Sequence, residues 1–366
     1  MSAEFDKRMM QRCLELAEKG MGRTAPNPMV GSVIVTGGTI VGEGYHPAAG
    51  RPHAERVALK RAGSRSRGAT LYVSLEPCSH TGRTPPCADA VIEAGISRVV
   101  AAMRDPNPRV RGRGIARLRR AGVKVEVGVL GRLARRLNEA FVCNVTTGSV
   151  FVALKLAQTL DGKIAAGPSV RTRISGPESL RLTHRLRAAH SAVMVGASTV
   201  LADDPMLNVR GIKNAPQPIR VVLDPALRTP PGCKLAVTAG EFRTILVYDH
   251  ERADVSARNA LEEAGLELAG LECAANGLFD IAEVNRLLFG LGITSVLVEG
   301  GRRLTTALLH SRQAQRLHMF IAPTVLGEGA ALHGIGNIGT EGGALELRNV
   351  EQRLVGEDFY LTARLD

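Results

Sequence analysis

The sequence has few aromatic side chains and no long apolar run. Tryptophan is absent and aromatic residues make up only 3% of the chain, so the stacking platforms of single-strand nucleic-acid binders are poorly supplied. No run of about 18 apolar residues occurs, which argues against a membrane span. The amino-terminal segment also lacks the form of a signal peptide. We therefore expect a cytoplasmic protein that binds neither membrane nor nucleic acid.

Acidic residues are too few to balance the basic ones. The sequence has 47 Lys and Arg against 35 Asp and Glu, a formal net charge of +12. A basic balance attracts anions such as nucleic acid, membrane surfaces or phosphorylated metabolites. The densest basic run, residues 109–120, is interpreted as a loop that leads into a solvated helix face. A phosphorylated small molecule is the partner that this composition favours.

The length and the apolar content indicate two domains. The chain has 366 residues, 45% of them hydrophobic, and typical domains have about 100–200 residues. Strand and helix patterns alternate in both halves, which predicts an α/β fold for each. We place the domains at residues 1–145 and 146–366, with a connecting helix at 132–145 and a turn at 146–149. Disulfides are not expected among the six cysteines of a cytoplasmic protein.

Three short segments in the first half predict a catalytic zinc site. They are His53-Ala54-Glu55, Pro77-Cys78 and Pro86-Cys87. Histidine and cysteine suit Zn²⁺, and three protein ligands leave a fourth position for water. Cys78 is predicted just after a strand and Cys87 in the first turn of a helix, where the helix dipole favours a thiolate. Glu55 can then accept and return a proton without binding the metal.

Taken singly, none of these residues indicates a metal site. A single histidine is usually an ordinary side chain, and a single buried cysteine behaves as a small hydrophobe; only the ordered combination is specific. A non-catalytic zinc scaffold would normally have four protein ligands and would leave Glu55 without a role. The remaining cysteines have no such context and are treated as ordinary residues: Cys13, Cys143, Cys233 and Cys273.

The metal motifs resemble those of the zinc nucleoside and nucleobase deaminases. Most of those enzymes place two residues between the cysteines, whereas eight residues lie between Cys78 and Cys87. This longer spacing is similar to the deaminase domain of bifunctional riboflavin-biosynthesis enzymes, and segments 26–31, 44–46 and 49–53 match that family too. The resemblance implies a cytidine-deaminase-like three-layer domain. It also implies that Asn27, His46, His80 and Arg83 contact the substrate.

The resemblance continues in the second half of the chain. It covers residues 155–165 and 195–205, and then Val298-Glu299-Gly300-Gly301 before a predicted helix at 302–309. Two glycines between a strand and a helix amino terminus suit a cofactor phosphate. No Gly-x-Gly-x-x-Gly fingerprint opens the domain, so an ordinary Rossmann fold is not predicted. The resemblance implies instead a dihydrofolate-reductase-like domain that binds NADPH.

Two sets of contact residues in this domain are implied by the resemblance. The substrate set is Arg171, Arg187, Leu207, Arg210 and Glu299. The NADPH set is Ala157, Arg173, Thr199, Asp203, Gly301, Arg302, Arg303, Leu304, Thr305, Thr306 and Ala307. The family usually has serine at the position of Arg171 and tryptophan at that of Arg173, so this sequence departs from the pattern there.

The family resemblance predicts a two-step reaction. Zinc-dependent deamination of 2,5-diamino-6-ribosylamino-4(3H)-pyrimidinone 5′-phosphate would precede NADPH reduction of the ribosyl group to ribityl, in a homo-oligomer. Two alternatives stay open. The departures at Arg171 and Arg173 permit a deaminase with a degenerate second domain. The basic charge permits a nucleic-acid or tRNA deaminase with an accessory domain, although the long spacing between the cysteines and the few aromatic residues argue against it.

Overall fold

The protein is described from a computed structural model that covers residues 2–79, 85–108, 110–167, 172–331 and 344–365. The chain divides into two compact units, Met1–Gly148 and Ser149–Asp366. The predicted boundary after residue 145 falls inside the last helix of the first unit. Among the described residues, no helix has both the length and the apolar content needed to cross a membrane.

The first unit contains a five-stranded sheet in the order β2-β1-β3-β4-β5. Strand β1 is antiparallel to β2 and β3, whereas β3, β4 and β5 are parallel to one another. The strands are β1 (Gly31–Thr36), β2 (Thr39–Tyr45), β3 (Thr70–Val73), β4 (Arg98–Ala101) and β5 (Lys124–Val127). The helices are α1 (Ala3–Glu18), α2 (Ala54–Ala62), α3 (Cys87–Glu93), α4 (Arg113–Arg120), α5 (Gly131–Leu137) and α6 (Glu139–Thr147).

Helices cover both faces of this sheet. Successive side chains of a strand point to opposite faces, so Val33 packs with α1 and α5 in one core and Ile34 packs with α2, α3 and α4 in the other. Leu71 and Tyr72 of β3 divide in the same way. The unit is therefore a three-layer α/β/α domain.

The predicted connecting helix is interrupted at Asn138. The side chain of Asn138 accepts the backbone N–H of Met29 at 2.7 Å and donates to the Met29 carbonyl at 2.9 Å. This pair ties the helix junction to a segment 109 residues away. The predicted turn at 146–149 is wrong, because the helix continues to Thr147. The hydroxyls of Thr146 and Thr147 donate to backbone carbonyls one helical turn earlier. Gly148, with φ 68°, then ends the helix.

A buried ion pair links helix α1 to strand β4. Asp6 accepts two bonds from Arg98, at 3.0 and 2.7 Å, and one from the Tyr72 hydroxyl at 2.5 Å. The hydrogen bond from Arg98 holds the pKa of Asp6 below its ordinary value, against the opposing effect of burial. The folded state therefore binds this proton less readily than the unfolded state. Its stabilising effect is present above the unfolded pKa of about 3.9 and is lost as pH falls through the folded pKa.

The variant Asp6→Asn is expected to be less stable than the parent near neutral pH, and the difference should shrink as pH falls below about 4. Thermal unfolding between pH 7 and pH 3 measures this. Glu126→Gln is the matched control, because Glu126 also accepts from Arg98 but its side chain is 56% exposed. Parallel stability curves for Asp6→Asn and the parent would contradict this account.

The second unit contains a nine-stranded sheet in the order β11-β10-β9-β8-β12-β6-β13-β16-β15 and a two-stranded sheet of β7 and β14. The strands are β6 (Phe151–Thr159), β7 (Lys163–Ala165), β8 (Ala192–Gly196), β9 (Ile219–Leu223), β10 (Thr244–Tyr248), β11 (Glu267–Gly270), β12 (Ser295–Val298), β13 (Arg316–Ala322), β14 (Ala330–Ala331), β15 (Arg348–Val355) and β16 (Asp358–Arg364). The helices are α7 (Pro177–Ala189), α8 (Ala197–Asp203), α9 (Lys234–Val237), α10 (Val255–Glu263), α11 (Ile281–Gly290) and α12 (Arg302–His310).

The parallel part of this sheet brings three strand ends together. Strand β12 lies between β8 and β6 and is parallel to both. Helix α8 directly follows β8, and α12 follows β12 after two glycines. Both helices therefore begin at the carboxyl edge of the sheet, where parallel α/β folds bind their ligands.

Candidate functional site

The three predicted zinc ligands of the first unit lie together. His53 is the residue before α2, Cys78 follows β3 and its adjoining turn, and Cys87 is the first residue of α3. The Nδ1 atom of His53 lies 3.3 Å from Sγ of Cys87 and 3.7 Å from Sγ of Cys78. The three ligand atoms all lie within 4.8 Å of one another.

These separations fit a tetrahedral zinc site. Zn–S and Zn–N bonds of about 2.3 and 2.1 Å at a tetrahedral angle place sulfur and nitrogen about 3.6 Å apart. The donor set of one imidazole and two thiolates is also one that zinc prefers. The backbone N–H of Cys87 donates to Sγ of Cys78 at 3.3 Å. The Cys87 side chain is the main cause of a lowered pKa at Cys78, so one sulfur of the pair is readily ionised.

Glu55 is buried beside this cluster. It is the second residue of α2, it is 4% exposed, and the three-ligand cluster does not include it. Burial raises the pKa of Glu55 to about 7, and the charge of Cys78 adds to the effect. A carboxyl group that ionises near neutral pH is suited to exchanging a proton with a reacting group.

A cavity of about 460 Å³ opens onto the cluster. It contains the predicted deaminase substrate residues that the structure describes. Asn27 and His46 line it, and Nδ2 of Asn27 lies 3.1 Å from Nε2 of His46. Nδ1 of His46 donates to the Pro52 carbonyl at 3.2 Å, so Nε2 accepts from the Asn27 amide. Burial lowers the pKa of His46, which favours this neutral form. The predicted substrate residues His80 and Arg83 lie outside the described residues.

Glu76 is a site residue that the sequence analysis missed. It lines the cavity, it is 3% exposed, and its carboxylate accepts four backbone N–H groups. The donors are Asp105 at 3.1 Å, Gly112 at 3.0 Å, Gly114 at 2.9 Å and Ile115 at 3.1 Å. These bonds fix the segment after β4 beside the strand end that carries Cys78. Asp105 and Asn107 on that segment also line the cavity.

In the second unit, the predicted substrate residues Arg187 and Glu299 bind each other. Arg187 donates from Nε and Nη2 to the two carboxylate oxygens of Glu299, at 2.6 and 2.9 Å, and from Nη1 to the Asn208 carbonyl at 2.8 Å. Burial alone would raise the pKa of Glu299, but the charges of Arg187 and Lys155 outweigh it and the pKa is lowered. The carboxylate is therefore held ionised at the end of β12.

The other two predicted substrate residues that the structure describes lie close to this pair. Arg210 donates to Oδ1 of Asn208 at 2.5 Å, and Asn208 in turn binds Arg187. Leu207 is buried and has φ 50°, a left-handed conformation that costs about 1–2 kcal/mol for a residue with a side chain. Backbone strain of this kind is common at functional sites. Arg171 lies outside the described residues.

Lys155 also belongs to this group, although the sequence analysis did not single it out. It lies on β6, next to β12, and its ammonium group lies 5.4 Å from the centre of the Phe320 ring. Burial lowers the pKa of Lys155, and the charge of Glu299 opposes that effect. The available signal was one charge within the apolar strand sequence Phe151–Thr159.

Several of the predicted NADPH residues lie on the elements that meet at the carboxyl edge of the sheet. Ala157 lies on β6, Thr199 and Asp203 lie on α8, and the stretch from Gly301 to Ala307 begins α12. A side chain added at Gly301 would come within 3.7 Å of Oγ1 of Thr199, so the two helix starts are adjacent. A glycine-preceded helix amino terminus of this kind fits a cofactor phosphate.

The side chains of this stretch do not all face the cofactor position. Leu304 is 8% exposed and Thr305 is fully buried, and Leu304 packs in the apolar core. These two residues can offer a ligand only their backbone. Arg302 and Arg303 are exposed at the helix start, and Thr306 and Ala307 are partly buried. Arg173 is exposed and lies four residues before the start of α7.

Both units of the chain resemble known protein families. Residues 3–103 match the cytidine and deoxycytidylate deaminase zinc-binding region, and residues 150–361 match the RibD C-terminal domain. The chain is 43% identical over 361 residues to the riboflavin biosynthesis protein RibD of Aquifex aeolicus, covering 99% of each.

Solved structures of similar proteins extend the match to the whole fold. Acinetobacter baumannii RibD is 34% identical, with a TM-score of 0.87 and complete coverage of both chains. A deaminase and reductase from Thermotoga maritima is 36% identical, with a TM-score of 0.86, and covers 100% of this chain and 99% of its own. The predicted fold class, a cytidine-deaminase-like domain followed by a dihydrofolate-reductase-like domain, is confirmed. With this extent of likeness, the chain belongs to the RibD family of riboflavin biosynthesis proteins.

Proposed function

We propose that the first unit deaminates 2,5-diamino-6-ribosylamino-4(3H)-pyrimidinone 5′-phosphate at the zinc cluster, and that the second unit then reduces the ribosyl group to ribityl. The chain is a bifunctional deaminase and reductase of riboflavin biosynthesis that uses zinc and NADPH. The observation that supports the assignment of residues is the cluster of His53, Cys78 and Cys87 beside a cavity that His53, Cys78 and Glu55 line.

In the deaminase site, each described side chain has a separate task. When bound by His53, Cys78 and Cys87, zinc lowers the pKa of a coordinated water to about 7 and so supplies the nucleophile. Glu55 receives a proton at its carboxylate and returns it to the departing ammonia. Asn27 and His46 orient the pyrimidine from the cavity wall, because their hydrogen bond fixes the direction of both side chains.

In the reductase site, the charged residues hold the sugar and the cofactor. NADPH, when bound at the starts of α8 and α12, supplies the hydride that reduces the sugar carbon. Glu299 and Lys155 offer an acceptor and a donor for the sugar hydroxyls at the end of the central strands. Arg187 keeps the Glu299 carboxylate in place, and the exposed guanidinium of Arg210 is suited to the phosphate.

A cytoplasmic homo-oligomer without nucleic-acid or membrane partners remains our expectation. Leu354 is 63% exposed on β15, an edge strand of the large sheet, and Phe359 is 53% exposed on the neighbouring strand β16. Exposed apolar residues on edge strands support contact with a second protein chain.

The test is to supply the zinc-loaded protein with the phosphorylated diaminopyrimidinone and NADPH, and to follow ammonia release together with nicotinamide absorbance. Removal of zinc by a chelator is expected to stop ammonia release, because the cluster has no other source of an activated water. NADPH oxidation should continue when the already deaminated substrate is supplied. The variant Cys87→Ala should behave like the zinc-depleted protein, whereas Cys13→Ala, at another buried cysteine of the same unit, should retain zinc. Ammonia release that survives zinc removal would overturn the proposal.

A further inference from the structure

A second concave region of the first unit is strongly basic. It has a volume of about 450 Å³ and is lined by seven residues: Ser79, Arg111, Gly112, Arg113, Ala116, Arg117 and Arg120. Four of the seven carry a guanidinium group, and none is acidic. We call this region the arginine recess. It occupies the start and one face of α4.

Two of the four arginines are already engaged. Arg117 forms an ion pair with Asp89 at 2.5 Å, and Arg120 donates to the Ala116 carbonyl at 3.3 Å. Among the residues that the structure describes, the side chains of Arg111 and Arg113 have neither an ion pair nor a hydrogen bond. The recess therefore keeps two guanidinium groups that no described carboxylate neutralises.

The position of Arg111 and Arg113 is unfavourable for the helix itself. Both precede or begin α4, whose first turn contains no acidic residue. Positive side chains at a helix amino terminus oppose the helix dipole. The backbone N–H groups of that end are not free to compensate with a ligand, because those of Gly112, Gly114 and Ile115 donate to the Glu76 carboxylate. An anion in the recess would therefore be held by the guanidinium side chains.

The recess adjoins the zinc cavity through two shared segments. Cys78 lines the cavity and Ser79, the next residue, lines the recess. Val110 lines the cavity, and Arg111 lines the recess. Consecutive residues of both segments thus line the two regions, which places the arginines next to the zinc cavity.

We propose that the arginine recess binds the 5′-phosphate of the deaminase substrate while the pyrimidine ring occupies the zinc cavity. This inference rests on the proposed function. The guanidinium group is planar and matches a phosphate with two parallel hydrogen bonds, which an ammonium group cannot do. Arg111 and Arg113 are thus specificity-determining residues for the phosphorylated substrate and take no part in the proton transfers.

The test compares the phosphorylated substrate with the same compound after removal of its phosphate. In the variant Arg111→Gln/Arg113→Gln, the ratio of kcat/KM for the phosphorylated compound to that for the dephosphorylated one should fall about tenfold or more, as expected for losing charge-assisted hydrogen bonds. The loss should appear in KM. Inorganic phosphate should also compete less well with the phosphorylated substrate in the double variant than in the parent.

Arg119→Gln is the matched control, because Arg119 lies on the same helix outside the recess and donates to the Val125 carbonyl. It should leave the substrate ratio at the parent value. A ratio that does not change in the double variant, or that falls equally in the control, would overturn the proposal. So would single-stranded RNA that binds the parent with a steep salt dependence and loses that binding in the double variant while the ratio stays constant. A parent protein that deaminates neither compound would instead refute the proposed function.

Discussion

Glu55→Gln is expected to lower kcat for ammonia release by about 10²- to 10⁴-fold, the usual contribution of a positioned general acid and base. Glutamine fills nearly the same volume in the buried position at the start of α2 but cannot accept a proton. The three zinc ligands are unchanged, so the metal content should stay near the parent value. Ammonia release and zinc content are measured on the same preparation.

The second unit supplies the internal control for this variant. NADPH oxidation with the already deaminated substrate should continue in Glu55→Gln, because the reductase residues belong to a separate compact unit. Ammonia release at the parent rate with full zinc content would show that Glu55 does not carry the proton. Loss of zinc together with activity would show that Glu55 supports the metal site, and would contradict the separation of ligand and proton carrier.

Arg187→Met is expected to destabilise the second unit by about 3–5 kcal/mol, the usual cost of leaving one charge of a buried pair without its partner. The side chains of Arg187 and Glu299 are only 10% and 13% exposed, so water cannot replace the lost hydrogen bonds. Reductase activity should fall as well, because Glu299 loses the two bonds that orient its carboxylate. Calorimetric unfolding of the full chain and NADPH oxidation measure the two effects.

A double variant separates the two consequences. Arg187→Met/Glu299→Gln removes both charges and should recover much of the stability, since neutral replacements of buried pairs are often tolerated, but it should not recover reduction. Arg243→Met is the matched control. Arg243 binds Glu267 with a similar pair of bonds, at 2.8 and 2.9 Å, but those side chains are 43% and 51% exposed, and such pairs contribute about 0.2–1 kcal/mol. Equal losses of stability in Arg187→Met and Arg243→Met would show that burial of the ion pair does not determine its contribution.

Local signals in the sequence predicted that His53, Cys78 and Cys87 would lie together, as they do in the structure. A histidine before a helix, a cysteine after a strand and a cysteine at a helix start lie at element ends, where side chains converge in an α/β fold. The alternation of strand and helix patterns predicted an α/β fold for both halves, because buried β-branched runs have a clear pattern.

Contacts between distant segments could not be predicted in the same way. The bonds from Gly112, Gly114 and Ile115 to Glu76 span 36 to 39 residues, and no periodicity marks such a pair. The ion pair between Arg187 and Glu299 joins residues that are 112 positions apart in the sequence. Family resemblance indicated that both residues belong to one site, but only the folded chain shows that they bind each other. The predicted sites at His80, Arg83 and Arg171 lie outside the described residues.

The four bonds to Glu76 make the segment 105–115 and the strand end before Cys78 a single cooperative unit. Opening that segment would expose a buried carboxylate and break all four bonds at once, so local unfolding there and loss of the ligand geometry are thermodynamically linked. Only glycine fits at position 114, because a Cβ atom would lie 1.9 Å from the Pro77 carbonyl oxygen. A substitution at Gly114 would therefore weaken zinc affinity, although Gly114 is not a metal ligand.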